Sequence, residues 1–225
     1  MRFIYIVDDD RVSRHFVRSA ANRDTDTLVR TFESGDEFLS EADDLDSGVV
    51  LLDLNMPGLD GTEVLERLSA RGDGKFVAIL VTGGASVASA VVAMKYGAAD
   101  VIEKPCDQGA LNDALVIAFG RLESSLAASA MAQQAKQKID SLSPRERDVM
   151  AHLFDGYPNK ATANDLGISP RTVEVHRASA MRKLGVTHPA EAVRMAIISG
   201  WEAKRSSRPG WSQVRPQASD SAIIG

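Results

Sequence analysis

The sequence predicts a doubly wound α/β domain on a five-stranded parallel sheet, joined by a helical linker to a small all-α domain with a helix-turn-helix at its centre. Three patterns carry that expectation. Five short apolar runs alternate with helix-patterned stretches through the first 120 residues, the order that builds a parallel sheet with right-handed crossovers and helices on both faces. Residues 121–139, "RLESSLAASAMAQQAKQKI", hold no Gly or Pro and many Ala, Gln and Lys, a composition that favours helix over a flexible tether. From residue 143 onward only short helical segments remain, each with its own start and stop signals.

In chain order, "FIYIV" at 3–7, "TLVRTF" at 27–32, "VVLL" at 49–52, "FVAILV" at 76–81 and "ADVIE" at 99–103 read as strands. The third and fourth are apolar on both faces, as a sheet covered on both sides requires. Helical spacing occupies 11–22, 35–42, 61–70, 86–97 and 108 onward. Val64, Leu65 and Leu68 fall on one helical face, and so do Val87, Val91 and Met94. The stripe Leu111, Leu115, Ala118, Leu122 and Leu126 predicts one long helix running out of the α/β domain. Ser143 then stands as an N-cap before Pro144, with Glu146 three residues on and Gly156 as the stop, a capping-box start. "NKATANDLG" follows, Ser169 and Pro170 repeat the start for a helix ending at Gly185, and a fourth helix is expected at about 189–199 with Ala192, Val193, Ala196 and Ile197. The boundaries are therefore 1–120 for the α/β domain, 121–140 for the linker and 141–201 for the helix-turn-helix domain. Residues 202–225 form a polar, Pro- and Gly-dotted tail expected to be mobile.

Composition narrows the class. The 225-residue chain has a net charge of −5, but residues 1–120 carry 21 acidic and 11 basic side chains, while residues 121–225 carry 10 and 15. An acidic half joined to a basic half predicts domains with different partners, nucleic acid being the natural one for the basic half. With no run of about 18 apolar residues and no basic-then-apolar leader, the chain reads as soluble, cytoplasmic and without a membrane partner. The single cysteine, Cys106, cannot build a disulfide framework, and the scattered His15, His152, His176 and His188 form no metal signature.

In doubly wound sheets, ligands bind beyond the carboxyl ends of the strands. Asp8 and Asp9 end the first strand here, Asp53 the third, Thr82 the fourth and Lys104 the fifth. Carboxylates converging on one cleft repel one another unless a hard divalent cation joins them. Mg²⁺ takes oxygen ligands and leaves positions for water and phosphate oxygens. Lys104 supplies charge for a phosphoryl group and Thr82 a hydroxyl donor, so Asp53 is placed as a nucleophile for phosphoryl transfer.

The segments "IVDDD", "LLDLNMPGLDG", "VTGG" and "IEKP" resemble those of the receiver domain of two-component response regulators. The resemblance implies that Asp53 accepts phosphate from the phosphohistidine of a cognate sensor histidine kinase. It implies that Asp9 and Asp53 bind Mg²⁺ directly, with Asp8 assisting and the backbone carbonyl of Asn55 adding a ligand, and that Thr82 and Lys104 contact the phosphate. A cis peptide before Pro105 is implied as well. Val101 stands where such receivers usually carry Phe or Tyr, a departure that puts their aromatic rotation on activation in question while leaving the movement of Thr82 implied. A phosphohydrolase of the haloacid dehalogenase type also sets an Asp on a sheet edge, but it wants a second acid two residues on, where this chain has Asn55.

Within residues 142–197 the short link "GIS" lets two helices cross steeply and presents the second to a groove. That helix offers Arg171, Thr172, Glu174, Val175, Arg177 and Ala178, with Arg182 and Lys183 near its end, and Lys160 opens the helix before it. Arg and Lys suit phosphates, Glu can accept from cytosine N4, and Val or Ala can meet a thymine methyl. "SPRERDV", "LGISPRTVEVHR" and "MRKLGV" closely resemble the LuxR-type domain of NarL/FixJ response regulators, with Thr162 where that family usually has Ile or Val. The resemblance implies a DNA-binding transcription regulator rather than an enzyme, with RNA polymerase as a further partner. Specific affinity from so small a module needs two half-sites, so phosphorylation is expected to produce a homodimer on an inverted-repeat operator.

Overall fold

A computed structural model of the chain describes residues 1–21, 26–84 and 87–201, the side chains of 87–90 excepted. The chain divides into two compact units, residues 1–133 and residues 134–225.

The first unit runs β1 (Arg2–Val7), α1 (Arg11–Ala21), β2 (Thr27–Phe32), α2 (Gly35–Glu41), β3 (Gly48–Asp53), α3 (Gly61–Arg71), β4 (Phe76–Thr82), α4 (Val87–Lys95) and β5 (Asp100–Glu103), then enters α5 (Gln108–Asp140). The five strands are parallel in the order β2-β1-β3-β4-β5. The order reverses between β1 and β3, the place where doubly wound sheets open a crevice beyond the strand ends. The register pairs Val7 with Leu52, Asp53 with Val81 and Thr82 with Glu103, so the exits of β1, β3, β4 and β5 stand at neighbouring levels along one edge. Every residue of β3 is buried, as its unbroken apolar run requires.

Side-chain alternation along the strands sorts the core into two layers. Ile4, Ile6, Val49, Leu51, Ile79 and Val81 pack with Val17 of α1 and with Leu111, Leu115 and Phe119 of α5. Tyr5, Val7, Val50, Leu52 and Leu80 pack with Phe38 of α2 and with Val64, Leu65 and Leu68 of α3. The helix α4 keeps its larger described apolar residues on the outside. Among the described residues of α4, Ala93 is the buried one, while Val91 is 62% and Met94 50% exposed; the side chain of Val87 lies outside the described residues. Small Ala93, with Ala98 beyond the helix end, meets the sheet closely, which leaves the larger residues outside.

The α5 helix is continuous over 33 residues. Leu111, Ala114, Ala118 and Leu122 are buried in the first unit, Leu126 packs against them, and the Ser129 hydroxyl donates to the Asp73 carbonyl at 2.9 Å. Further along, Ile139 belongs to the core of the second unit. The stretch read as linker, 121–140, is thus helix whose two ends serve different interiors. By length and composition α5 could cross a membrane, but the apolar stripe of its first half is spent on this core.

The second unit continues with α6 (Pro144–Phe154), α7 (Asn159–Leu166), α8 (Pro170–Leu184) and α9 (Pro189–Ile198). The expected capping box forms: Ser143 Oγ accepts from the Glu146 amide at 3.3 Å and Glu146 Oε2 from the Ser143 amide at 2.7 Å. Gly185 ends α8 in the left-handed region at φ 71°, a conformation that favours glycine. Ile139, Leu142, Met150, Ala180, Leu184 and Ala192 form one core cluster, and Val149, Ala163 and Val173 another. Thr162 is buried, and its hydroxyl donates to the Pro158 carbonyl at 3.3 Å, which explains how a polar residue is tolerated at this position. The tail, 202–225, and residue 22 of the first expected helix lie outside the described residues.

Candidate functional site

The exits of β1, β3, β4 and β5 each contribute one part of the pocket. Asp8, directly after β1, is 2% exposed, and its Oδ1 accepts the Asp10 amide at 2.9 Å while Oδ2 accepts the Ser13 hydroxyl at 2.6 Å. Asp53, the last residue of β3, is 7% exposed. Thr82 ends β4 and is buried, and its carbonyl accepts the Lys104 amide at 2.8 Å, which sets Lys104 beside it. The Lys104 ammonium then reaches across the sheet edge. It donates to Asp8 Oδ2 at 2.7 Å and pairs with Asp53 Oδ1 at 3.1 Å. Asp9 is exposed, yet carboxylate oxygens of Asp8, Asp9 and Asp53 all lie within 4.8 Å of one another. Asn55 is exposed on the loop two residues past Asp53, and the Lys104–Pro105 peptide is cis.

Burial pushes the Asp53 carboxyl above its usual range, with the Lys104 ammonium working against that rise. For Lys104 burial disfavours the charge, but bonds to Asp8 and Asp53 hold the ammonium protonated above its ordinary range. One ammonium thus pairs with Asp8 and Asp53 while a third carboxylate, Asp9, lies within reach of both, so hard oxygen donors outnumber the positive charge in the pocket.

In the C-terminal unit, α7 and α8 are joined through Gly167 and Ser169, whose hydroxyl oxygen accepts the Thr172 amide at 3.1 Å and caps α8. Arg171, Glu174, Val175 and Ala178 are exposed along one side of α8, and Val173, Ala180 and Leu184 are buried on the other. Lys160 is exposed at the start of α7. Thr172 is partly taken up by the cap, its hydroxyl lying 2.8 Å from that of Ser169, and the half-buried Arg177 donates to Asn159 Oδ1 at 3.3 Å. Lys183, grouped with this face from sequence, is directed elsewhere. Its ammonium donates to the buried Glu146 at 2.7 Å and ties α8 to α6.

Comparison with known proteins agrees with both halves. Residues 4–116 match the response regulator receiver domain, and residues 140–196 match the luxR family of bacterial regulatory proteins. The chain is 39% identical over 200 residues to the transcriptional regulatory protein FixJ of Bradyrhizobium diazoefficiens, covering 88% of this chain and 95% of that one. The chain is a two-component response regulator of the NarL/FixJ family. FixJ of Rhizobium meliloti is 38% identical over 88% of this chain and 96% of its own. Among solved structures, the response regulator StyR is similar with a TM-score of 0.68 at 33% identity, over 87% of this chain and 98% of that one. Full-length FixJ from B. japonicum is similar at 0.53 and 38%, over 88% and 97%.

Receiver domains generally bind Mg²⁺ at such an acidic pocket, and the residues of this response regulator fit the ion. The donors are all oxygens, three carboxylates converge, and a divalent cation offsets the charge that Lys104 alone leaves unbalanced.

Sequence reasoning missed Ser13, Arg14 and Gly61. Arg14 had a legible signal, since it takes the core-facing position of α1 shared by Val17 and Ala21. Gly61 opens α3 pressed onto the backbone of Asp53: a Cβ there would lie 2.2 Å from the Asp53 carbonyl oxygen and 2.9 Å from Leu54 Cα. No side chain can yield, because the clashing atoms are backbone. Gly61→Ala is therefore expected to destabilise the receiver by about 1–3 kcal/mol, read as a lower urea midpoint of the receiver transition by circular dichroism. An unchanged midpoint would show that α3 can shift without cost.

Proposed function

We propose that this response regulator takes a phosphoryl group from a sensor kinase's phosphohistidine onto Asp53 in a Mg²⁺-dependent step. The aspartyl phosphate then promotes dimerisation and operator binding by the LuxR-type domain. The observation that carries the reading is the Lys104 ammonium bridging Asp8 and Asp53 at the mouth of three converging carboxylates. An Asp53 oxygen forms the new P–O bond as the P–N bond to the kinase imidazole breaks, and the departing imidazole takes up a proton. Asp9, Asp53 and the Asn55 carbonyl, assisted by Asp8, would hold Mg²⁺, which supplies charge neutralisation for the phosphoryl oxygens. Lys104 and Thr82 take the remaining oxygens, and Thr82, buried in β4 against β5, couples the phosphate to the α4 side of the sheet, where Val91 and Met94 stand exposed.

The DNA arm rests on the exposed row of α8, with Arg171, Glu174, Val175 and Ala178 toward the major groove and Lys160, Arg177 and Thr172 toward the backbone. RNA polymerase would be the downstream partner in the cytoplasm. The test uses the full chain with Mg²⁺, with and without beryllofluoride. Sedimentation should shift from monomer to dimer and operator binding should tighten. A single species with unchanged affinity in both states would overturn the switch. Within the DNA arm, Glu174→Ala is expected to cost about 1–3 kcal/mol at one base position. Lys160→Ala should weaken all sequences alike and flatten the salt dependence by about one unit. Equal losses for Glu174→Ala on specific and random DNA would rule out base readout.

A further inference from the structure

We infer that Arg14 is a positioning residue that holds Asp8 and Asp9 in the conformation their metal-binding role needs, a reading that rests on the proposed Mg²⁺ site. Its side chain is only 10% exposed, and both of its terminal nitrogens are already engaged. Nη1 donates to the Asp8 carbonyl at 2.6 Å and to the Asp9 carbonyl at 3.2 Å, while Nη2 donates to Glu33 Oε1 at 2.6 Å. A guanidinium so engaged has little left for a phosphate. What it touches is the backbone of the acidic turn.

The geometry of that turn explains why a clamp is needed. In an extended chain, successive side chains point to opposite faces. Continued as strand, β1 would send the Asp8 and Asp9 carboxylates apart. Instead both reach within 4.8 Å of each other and of Asp53. Consecutive carbonyls drawn to one cation mark a chain that has left the extended state, and the same bend brings the two side chains together. Like charges so close repel, so the bend needs a restraint independent of any bound cation, and Arg14 supplies it from the first turn of α1. Glu33, just past β2, balances the buried charge and fixes the fork's orientation. The Asp8 amide bonds the Phe32 carbonyl at 3.2 Å, which anchors the turn to the same strand end.

The full chain and its variants are titrated with Mg²⁺ in a calorimeter, and thermal unfolding is recorded for each. Residues that orient metal ligands from outside the coordination sphere typically change affinity by about 10–100-fold; a clamp acting through backbone belongs at the lower end. Arg14→Gln should therefore weaken Mg²⁺ about tenfold, and Arg14→Lys, whose ammonium can meet one carbonyl but not the whole set, should recover part of that loss. Val17→Ala, which hollows the same helix's buried face without touching the turn, should lower the melting temperature and leave Mg²⁺ affinity within about twofold. Wild-type affinity in Arg14→Gln would overturn the inference, as would an equal loss in Val17→Ala, because the effect would then be general loosening of α1. A wild-type chain that binds no Mg²⁺ would instead remove the metal site itself, and with it both readings.

Discussion

Asp53→Asn is expected to take up no label from acetyl phosphate in Mg²⁺, while its fold and its basal, phosphate-independent DNA binding stay intact. The amide has nearly the shape of the carboxylate, so the packing of an almost fully buried position survives. What is lost, on the proposed phosphotransfer, is the anionic oxygen that would attack phosphorus, and neither neighbouring carboxylate is placed to replace it. Asp8 has both oxygens engaged by Asp10, Ser13 and Lys104, and Asp9 is exposed at the rim. Lys104→Ala should keep the nucleophile but slow labelling by about 100-fold, the scale seen when one preorganised donor is removed from a site where charge is redistributed. It also leaves two buried carboxylates without their shared cation, so its Mg²⁺ requirement should persist. Phosphoprotein gels resolve both variants. Wild-type labelling in Asp53→Asn would displace the acceptor from this residue altogether.

The elements that were legible in the sequence are those whose reasons are local. Strand exits marked by Asp8, Asp53, Thr82 and Lys104 follow from short apolar runs ending in polar residues, and the parallel sheet brings four such exits to one edge. The capping box of Ser143 and Glu146 is likewise a matter of spacing within one turn. What escaped is set by partners distant in sequence. Nothing in "MRKLG" says that Lys183 pairs with a buried carboxylate, because that partner, Glu146, lies 37 residues earlier. The outer position of Val91 and Met94 depends on small Ala93 winning the close approach to the sheet, a choice that apolar periodicity alone does not distinguish. Gly61 reads as an ordinary turn residue until the Asp53 carbonyl is seen against it. The receiver pocket was therefore legible in its side chains and hidden in its supports.

Glu146 is where the DNA-binding unit should prove most fragile. It is 4% exposed and closes three contacts at once: the capping box with the Ser143 amide at 2.7 Å, the Ser179 hydroxyl at 2.8 Å and the Lys183 ammonium at 2.7 Å. Burial by itself would raise its carboxyl, yet the bonds from Lys183, Ser143 and Ser179 carry it the other way, from 4.5 down to about 2. A carboxylate with a depressed pKa stabilises the fold above its unfolded value, and that stabilisation fades as pH falls from about 4.5 toward about 2. Glu146→Ala removes a cap and leaves the α6–α8 contact without its anion, at a cost of about 2–4 kcal/mol. For a unit of this size that lowers the melting temperature by about 10–20 °C. The readout is clean because both tryptophans, Trp201 and Trp211, belong by sequence to residues 134–225, and the Trp201 ring packs on Phe154 with centroids 4.8 Å apart. Tryptophan fluorescence therefore follows this unit and not the receiver. Glu146→Gln should sit between the two, since an amide can keep the Ser179 contact but not the charge. The gap between wild type and Glu146→Gln should narrow steadily on acidification through that window, because protonated Glu146 and Gln are both neutral. A gap that holds constant from neutral pH to pH 2 would mean that charge contributes nothing here and that shape alone joins α8 to α6.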